Sequence, residues 1–465
     1  MRRTAVLNVV GLTESSIGPH TPKIATFANA GAQATITPAF PAVTCTAQSN
    51  YLTGLLPAQH GIVGNGWYHR ELAEVQFWKQ SNQLVRGKKV WEELRELNPQ
   101  FTCAKLFWWY NMYSTADYSI TPRPLYPADG RKVFDVYTQP FSIRSEIKED
   151  LGDFPFPAFW GPAAGVESPR FSADAASSWI AEAAKWIENK YHPTLSLVYL
   201  PHLDYNLQRL GPKHPDLAQD LSRIDAIVGD LIDFCNKQSV QVLLLSEYGI
   251  TEVDTPVHLN RLFREQGWIA IKDELGRELL DCGASKVFAV PDHQVAHVYL
   301  IDRSLENVAR RLMEIQPGIE RVLGAAEQTE MGIKHPRAGD LIAVATERAW
   351  FTYYYWLDDV AAPDFARTVD IHRKPGYDPV ELFIDPRLRF TRLKILWALL
   401  KKKLGMRMLM EVIPLDATLV KGSHGRRPNN ISDYPILVAE NKAALSKASL
   451  DSTEVYRVIK QHVLG

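Results

Sequence analysis

Asp370 and His372, in Thr-Val-Asp-Ile-His-Arg-Lys-Pro, stand two residues apart. On an extended chain that spacing puts both side chains on one face, about 6.6 Å apart, close enough to converge on one metal ion. The blander role for such a pair is a structural ion pair. His293 and His297 are four apart. The β-branched and aromatic run after His297 reads as a strand, on which the two imidazoles would be about 13 Å apart and unable to share an ion. Cys45, Cys103, Cys235 and Cys282 contain no Cys-x-x-Cys pair. Free thiols in a reducing, cytoplasmic setting are therefore expected.

Side chains of this kind work only when a rigid scaffold aims them. Short apolar segments alternate with longer amphipathic ones, the pattern of an α/β architecture around a largely parallel sheet. Val6 to Val10, Thr194 to Leu200 and Val240 to Leu245 read as strands, and Leu217 to Lys237 as a strongly periodic helix between the last two. In open sheets ligands gather beyond the carboxyl ends of the strands, so the loops after these strands are where chemistry is sought. The run from Ala5 to Leu12 is too short for a signal-peptide core and fits a first buried strand. No segment reaches the length of uncharged apolar sequence that a membrane helix requires. The stretch 393–410 mixes four lysines and one arginine into an apolar helical pattern. It reads either as a core-packed helix with snorkelling lysines or as a peripheral surface contact.

The chain has 465 residues, 52 basic and 53 acidic, with 46% hydrophobic content. That is an ordinary globular composition and lacks the broad positive field of a generic nucleic-acid binder. Residues 101–169 are rich in aromatics, proline and glycine, with little periodicity, and read as a cap-like insertion shaping a pocket. Residues 281–370 carry strand-like pieces of their own and read as a smaller α+β subdomain, leaving 1–280 and 371–465 as the core.

Three loops together resemble the type I phosphodiesterase and nucleotide pyrophosphatase family of the alkaline phosphatase superfamily. The first, PAFPAVTCTAQSNYLTGLLPAQHGIVGN from Pro38 to Asn65, is similar to the family's nucleophile loop. The second, PHLDYNLQRLGP, follows the strand ending at Leu200, and the third, SEYGI, follows the strand ending at Leu245. Gly422-Ser423-His424-Gly425 resembles the segment of the last metal-binding histidine. The resemblance implies an alkaline phosphatase-like three-layer α/β/α core with an inserted cap or subdomain. It implies Thr44 as nucleophile, Asn65 as donor to a phosphoryl oxygen, and Asp204, Gln208, Glu247 and His424 as metal ligands. The family has a metal-ligating Asp where this chain has Val10, a His where it has Gln208, and a His where it has Tyr248. Outside the resemblance, Thr44 has the plain role of a helix-capping turn residue and Cys45 that of a small buried thiol.

A threonine hydroxyl is a poor nucleophile near neutral pH, and the usual remedy is a divalent cation on its oxygen. The thinned, oxygen-rich ligand set implies one or two ions, with Mg, Mn or Ca favoured over Zn. Asp370 and His372 are the candidate substitute ligands, and Lys374 and Arg426 the candidate cations for binding substrate. The expected function is metal-dependent hydrolysis of a phosphodiester or pyrophosphate through a threonine phosphoryl-enzyme, acting on a small phosphorylated substrate. The alternatives are a catalytically degenerate binding or scaffold protein and a sulfate-ester or phosphonate hydrolase on the same fold.

Overall fold

The computed structural model describes residues 1–465 apart from positions 130, 169, 405 and 407 and the side chain of Lys402. Its centre is a nine-stranded sheet built from β1 (Thr4–Val9), β2 (Ala32–Thr37), β3 (Cys103–Leu106), β4 (Tyr118–Pro122), β5 (Val136–Gln139), β6 (Leu195–Leu200), β7 (Gln241–Leu245), β8 (Ile436–Ala439) and β9 (Ser449–Asp451). Across the sheet the order is β9-β2-β8-β7-β1-β6-β3-β4-β5. The middle strands are parallel: β1 runs with β6 on one side and β7 on the other. Only the pairings β2 with β8, β8 with β7, and β4 with β5 are antiparallel. The architecture is mixed α/β around a mostly parallel sheet, as the strand, helix, strand rhythm of the sequence implies.

Every residue of β1 and β6 is buried. Strands covered by helices on both faces carry near-continuous apolar sequence instead of an alternating one. Two helices carry site residues, α1 (Thr44–Thr53) and α2 (His202–Leu210); α3 (Leu217–Lys237) packs on the sheet, and α4 (Thr391–Lys403) lies away from the site. Helix α3 buries Ile224, Val228, Leu231, Ile232 and Cys235, a 3.6-residue stripe packed on the sheet. Its bounds coincide with the periodicity of the sequence. Helix α1 is unusual in that all ten of its residues are buried. Gly11 turns the chain after β1 at φ 79, and a Cβ there would meet Leu207 Cδ1 of α2 at 2.8 Å. The close approach of that helix to the end of β1 therefore requires glycine.

Residues 101–169 depart from the expected cap. Three of their segments, β3, β4 and β5, form one edge of the central sheet. These strands are only four or five residues long and are separated by an aromatic loop, so they leave too little alternation to register as strands. The rest of the segment still folds over the carboxyl ends of the strands. A second, four-stranded antiparallel sheet comprises Val287–Asp292, Val295–Leu300, Ile319–Leu323 and Leu341–Ala345. Its first hairpin turns at His293, φ 63, and the Gln294 amide donates to the carbonyl of His424 at 2.8 Å. This hairpin tip reaches the mouth of the central sheet.

Candidate active site

Beyond the ends of β6 and β7 the chain delivers the side chains singled out by the loops. Thr44 is the first residue of α1, whose N-cap, Val43, provides no side-chain acceptor. The Cys45 amide is taken by Asn65 Oδ1 at 3.0 Å, while the amides of Thr44 and Thr46 have no protein acceptor among the described residues. The positive end of α1 is thus open beside the Thr44 hydroxyl.

Thr44 Oγ1 lies 3.1 Å from the Tyr248 hydroxyl, and that hydroxyl lies 3.2 Å from Asp204 Oδ1. A carboxylate only accepts, so the phenol proton points to Asp204 and the threonine must donate to the phenol oxygen. The result is a directed chain, Thr44 to Tyr248 to Asp204. Gln208, one turn on from Asp204 along α2, donates to Asp204 Oδ2 at 2.7 Å and accepts from the Tyr377 hydroxyl at 3.2 Å. Burial raises the Asp204 carboxyl to about 6, partly offset by the Gln208 and Tyr248 hydrogen bonds.

His424 donates from Nδ1 to the Ala42 carbonyl at 2.7 Å. Burial drops its pKa to about 3, so the ring is neutral and Nε2 carries a bare lone pair. That nitrogen has no hydrogen-bond partner and sits 3.9 Å from Asp204 Oδ1. A buried lone pair facing a carboxylate at the pocket wall is a cradle for a cation.

The other half of the site is closed differently. Glu247 Oε1 accepts from Asn8 Nδ2 and Gln48 Nε2, each at 2.6 Å, while Oε2 has no hydrogen-bond partner. Burial nevertheless pushes the acid up to about 8, so it is largely protonated at neutral pH. Val10, where the family pattern has a ligand, is fully buried in the apolar core.

The donor set therefore fits one ion and not two. Among the described residues no group of three or more His, Cys, Asp or Glu side chains is arranged to hold a metal. Asp204 and His424 offer two converging donors, and the amide oxygen of Gln208 is already engaged by Tyr377. On the other side Glu247 and Thr44 have near them Tyr248, a phenol whose pKa burial raises well above its usual value, and Val10, in the apolar core, offers no donor. A second dication would lack ligands there.

Other predicted residues are placed elsewhere. Asp370 and His372 lie in turns, not on a strand. The Asp370 amide donates to Glu381 Oε1 at 3.2 Å, and His372 lines a neighbouring chamber, so the two do not join Asp204. Lys374 is buried against Asp378 at 2.7 Å and Glu381 at 2.6 Å, and Glu381 also accepts from Trp160 Nε1. Its charge is consumed in supporting the wall behind Trp160. Arg426 is held by Glu320 at 2.6 Å and Asn429 at 3.0 Å and does not line the pocket. Asn65 spends both its backbone and side-chain N–H groups on Asp292, at 2.7 and 3.0 Å. It therefore fixes the start of α1, with one of its two side-chain N–H groups held by Asp292.

Sequence reasoning passed over a ladder of rings. Tyr248 stacks on His424, His424 packs against His293, and His293 stacks on Tyr377, with centroids 3.7, 3.7 and 3.9 Å apart. His293 was set aside because a strand separates it from His297. The turn at φ 63 takes it off the strand and into the site. Asp292, Asn8, Gln48 and Tyr377 were likewise unmarked, since each meets its partner across more than a hundred residues or from an otherwise apolar segment.

The pocket over Thr44 has a volume of about 40 Å³ and is walled by Thr44, Asp204, Tyr248, His293 and His424 with aromatic rings above. Trp78, Trp109, Phe159 and Trp160 also line a roomier chamber of about 190 Å³ that includes Met112, Tyr126, Phe156, Arg123 and Lys132. A small polar reaction centre adjoins a large aromatic recess.

The site is thus a helix-opening threonine, hydrogen-bonded through Tyr248 to Asp204, at the carboxyl edge of a mostly parallel sheet. Residues 4–378 match the model of the type I phosphodiesterase / nucleotide pyrophosphatase family, and the chain belongs to that family. An uncharacterized pyrophosphatase/phosphodiesterase of Schizosaccharomyces pombe is 23% identical over 237 residues, which are 48% of this chain and 39% of the relative. The chain thus matches about two-fifths of the length of that curated relative. Among solved structures, murine ectonucleotide pyrophosphatase / phosphodiesterase 5 superposes with a TM-score of 0.57 at 13% identity, covering 100% of this chain and 95% of the other. Phosphonoacetate hydrolase from Sinorhizobium meliloti gives a TM-score of 0.60 at 12% identity, covering 99% and 96%. At such identities these two share the fold with this chain.

Proposed function

We propose that this chain hydrolyses a phosphodiester or pyrophosphate bond by transferring the phosphoryl group to Thr44 Oγ1. The observation that carries this reading is the directed hydrogen-bond chain from the Thr44 hydroxyl through Tyr248 to Asp204. As the Thr44 oxygen bonds to phosphorus and the alcohol or phosphate leaves, the threonine proton moves to Tyr248 and the Tyr248 proton to Asp204. The open amides of Thr44 and Thr46 at the start of α1 receive the phosphoryl oxygens. Glu247, held protonated by burial, adds no negative charge beside them at neutral pH. Asn65 positions α1 through the Cys45 amide. Water then attacks the same phosphorus and frees Thr44, releasing the phosphate monoester left from a diester or the transferred phosphate half of a pyrophosphate, and the proton on Asp204 returns through Tyr248 to Thr44 Oγ1.

Asp204 and His424 would hold one divalent cation, which when bound supplies positive charge next to the phosphoryl oxygens; one carboxylate oxygen and one imidazole nitrogen suit Mn or Zn at least as well as Mg or Ca. The aromatic recess favours a substrate whose leaving group is large and apolar, an aryl or long-chain alcohol, with Arg123 and Lys132 available to a second phosphate. Four free, buried cysteines suit a reducing, cytoplasmic setting.

The closure of Glu247 by two amides favours a second reading, a phosphoester-binding protein without turnover. Both are tested by assaying aryl and alkyl phosphodiesters, pyrophosphates, a phosphonate and a sulfate ester with Mg, Mn, Ca or Zn. Thr44→Ala is expected to lose roughly three orders of magnitude or more, and mass spectrometry of quenched wild type to find on Thr44 the phosphoryl group with the ester that the substrate retains. Full activity of Thr44→Ala overturns the nucleophile assignment. An inert wild type that binds the same esters establishes the second reading.

A further inference from the structure

Helix α4 breaks the rule that a surface helix turns its apolar stripe inward. Ala398 is buried, and Ile395 packs on the cluster around Tyr353 to Trp356. The outward face carries Leu393 (62% exposed), Trp397 (55%), Leu400 (43%) and Leu404 (64%), spaced i, i+4, i+7 and i+11. Leu396, Leu399 and Phe390 flank this stripe and are also exposed. Of the stretch 393–410, positions 405 and 407 lie outside the described residues. An apolar stripe of this length open to water marks a surface that is covered in use.

The charges around the stripe indicate what covers it. From Pro386 to Met410 the sequence has Arg387, Arg389, Arg392, Lys394, Lys401, Lys402, Lys403 and Arg407 and not one Asp or Glu. Arg387 is tied to Asp385, and the Lys401 ammonium lies 5.5 Å from the Trp397 ring. A leucine-rich face with a tryptophan, bordered by cations, has the make-up of a helix that lies in the interface of an anionic bilayer. Long basic side chains reach the headgroups while leucines enter the acyl boundary. A second copy of this chain fits poorly, because a twofold interface would set these cations against their own duplicates. No helix among the described residues is long and apolar enough to cross a membrane, so the contact would be peripheral.

We propose that α4 docks the protein onto anionic membrane surfaces, with Leu393, Trp397, Leu400 and Leu404 inserted and the surrounding lysines and arginines on the headgroups. The inference does not depend on the hydrolase reading. The test is co-sedimentation of the full chain with vesicles of phosphatidylcholine alone or mixed with phosphatidylglycerol, at low and high salt. Wild type is expected to sediment with the mixed vesicles only, and high salt to weaken binding on the order of tenfold or more. Leu393→Gln/Trp397→Gln/Leu400→Gln should abolish binding with an unchanged melting temperature, these side chains being exposed. Arg392→Glu/Lys403→Glu should weaken it on the order of tenfold or more and leave the apolar stripe intact. Failure of wild type to bind mixed vesicles overturns the proposal, as does equal binding by the triple variant. So does a wild-type dimer that the triple variant makes monomeric without any vesicle binding, or capture of an acidic protein in place of lipid.

Discussion

The two halves of the candidate site handle buried carboxylates in opposite ways. Around Asp204 the chain leaves a gap: His424 Nε2 has no partner and points its lone pair toward the carboxylate from 3.9 Å. Around Glu247 only one oxygen is partnered: Asn8 and Gln48 donate to Oε1, Oε2 has no hydrogen-bond partner, the residue at position 10 is a core valine, and the acid retains its proton to about 8. A buried carboxylate can be balanced by a cation, by amide donors or by a proton. Both halves use amide donors, Gln208 on Asp204 and Asn8 and Gln48 on Glu247; the Asp204 half adds a facing imidazole lone pair that suits a cation, and the Glu247 half adds the proton. Loss of one ligand at position 10 thus did not leave an uncompensated charge; the neighbouring amides and the raised pKa absorb it.

The largest effect expected from altering this contrast is at position 10. Val10→Asp introduces a carboxylate into a fully buried site near Glu247 without a donor of its own. Breaking charge balance in a core costs about 3 to 5 kcal/mol, so the metal-free variant should melt well below wild type. If the Glu247 half can be reopened as a cation site, Mn or Mg should restore more of the melting temperature in the variant than either adds to wild type. A variant that is destabilised equally with and without divalent cations shows that the amides have closed that half permanently.

The opposite half should respond to loss of its lone pair. His424→Ala is expected to abolish the thermal shift given by Mn or Mg and to lower cation-stimulated turnover roughly a hundredfold. Asp204→Asn should do the same and also remove the end of the proton chain from Thr44. Retention of the full thermal shift by both variants would place the cation outside the Asp204 and His424 cradle and dissolve the distinction between the halves.

Much of this arrangement was legible in the sequence, and the reasons are local. The strands preceding Asp204 and Glu247 are continuous apolar runs, and α3 repeats its buried residues at helical spacing, so the core and the ends where ligands gather follow from short-range pattern. The Pro38 to Asn65 loop places Thr44 because its chemistry is contiguous. What was not legible depends on distant contacts. Asn65 reads as a free donor until Asp292, 227 residues away, takes its backbone N–H and one side-chain N–H. Lys374 reads as a free cation until Asp378 and Glu381 enclose it. His293 reads as a strand residue until a turn at positive φ lifts it into the ring ladder. The strands of 101–139 were hidden because edge strands of four or five residues carry almost no period. Nor does the apolar pattern of α4 say which of its faces points outward.

The smallest effect concerns how the closed half stores a proton. Glu247 has its pKa raised from 4.5 to about 8, chiefly by burial. Between those values the unfolded chain has released a proton that the folded chain keeps, so this residue makes stability fall as pH rises, and the fall stops above about 8. From pH 6.5 to 8 the loss attributable to Glu247 is about 2 kcal/mol. The raw melting curve does not isolate it, because Lys105, lowered to about 7 by burial, works in the opposite direction above that pH. The readout is therefore the difference between wild type and Glu247→Gln, which keeps an oxygen to accept from Asn8 and Gln48 but has no proton to hold. That difference should move in favour of the glutamine variant as pH rises through this window and then level off. A difference that stays flat would mean that Glu247 is already ionised at neutral pH, and that the amides alone, without the proton, balance its charge.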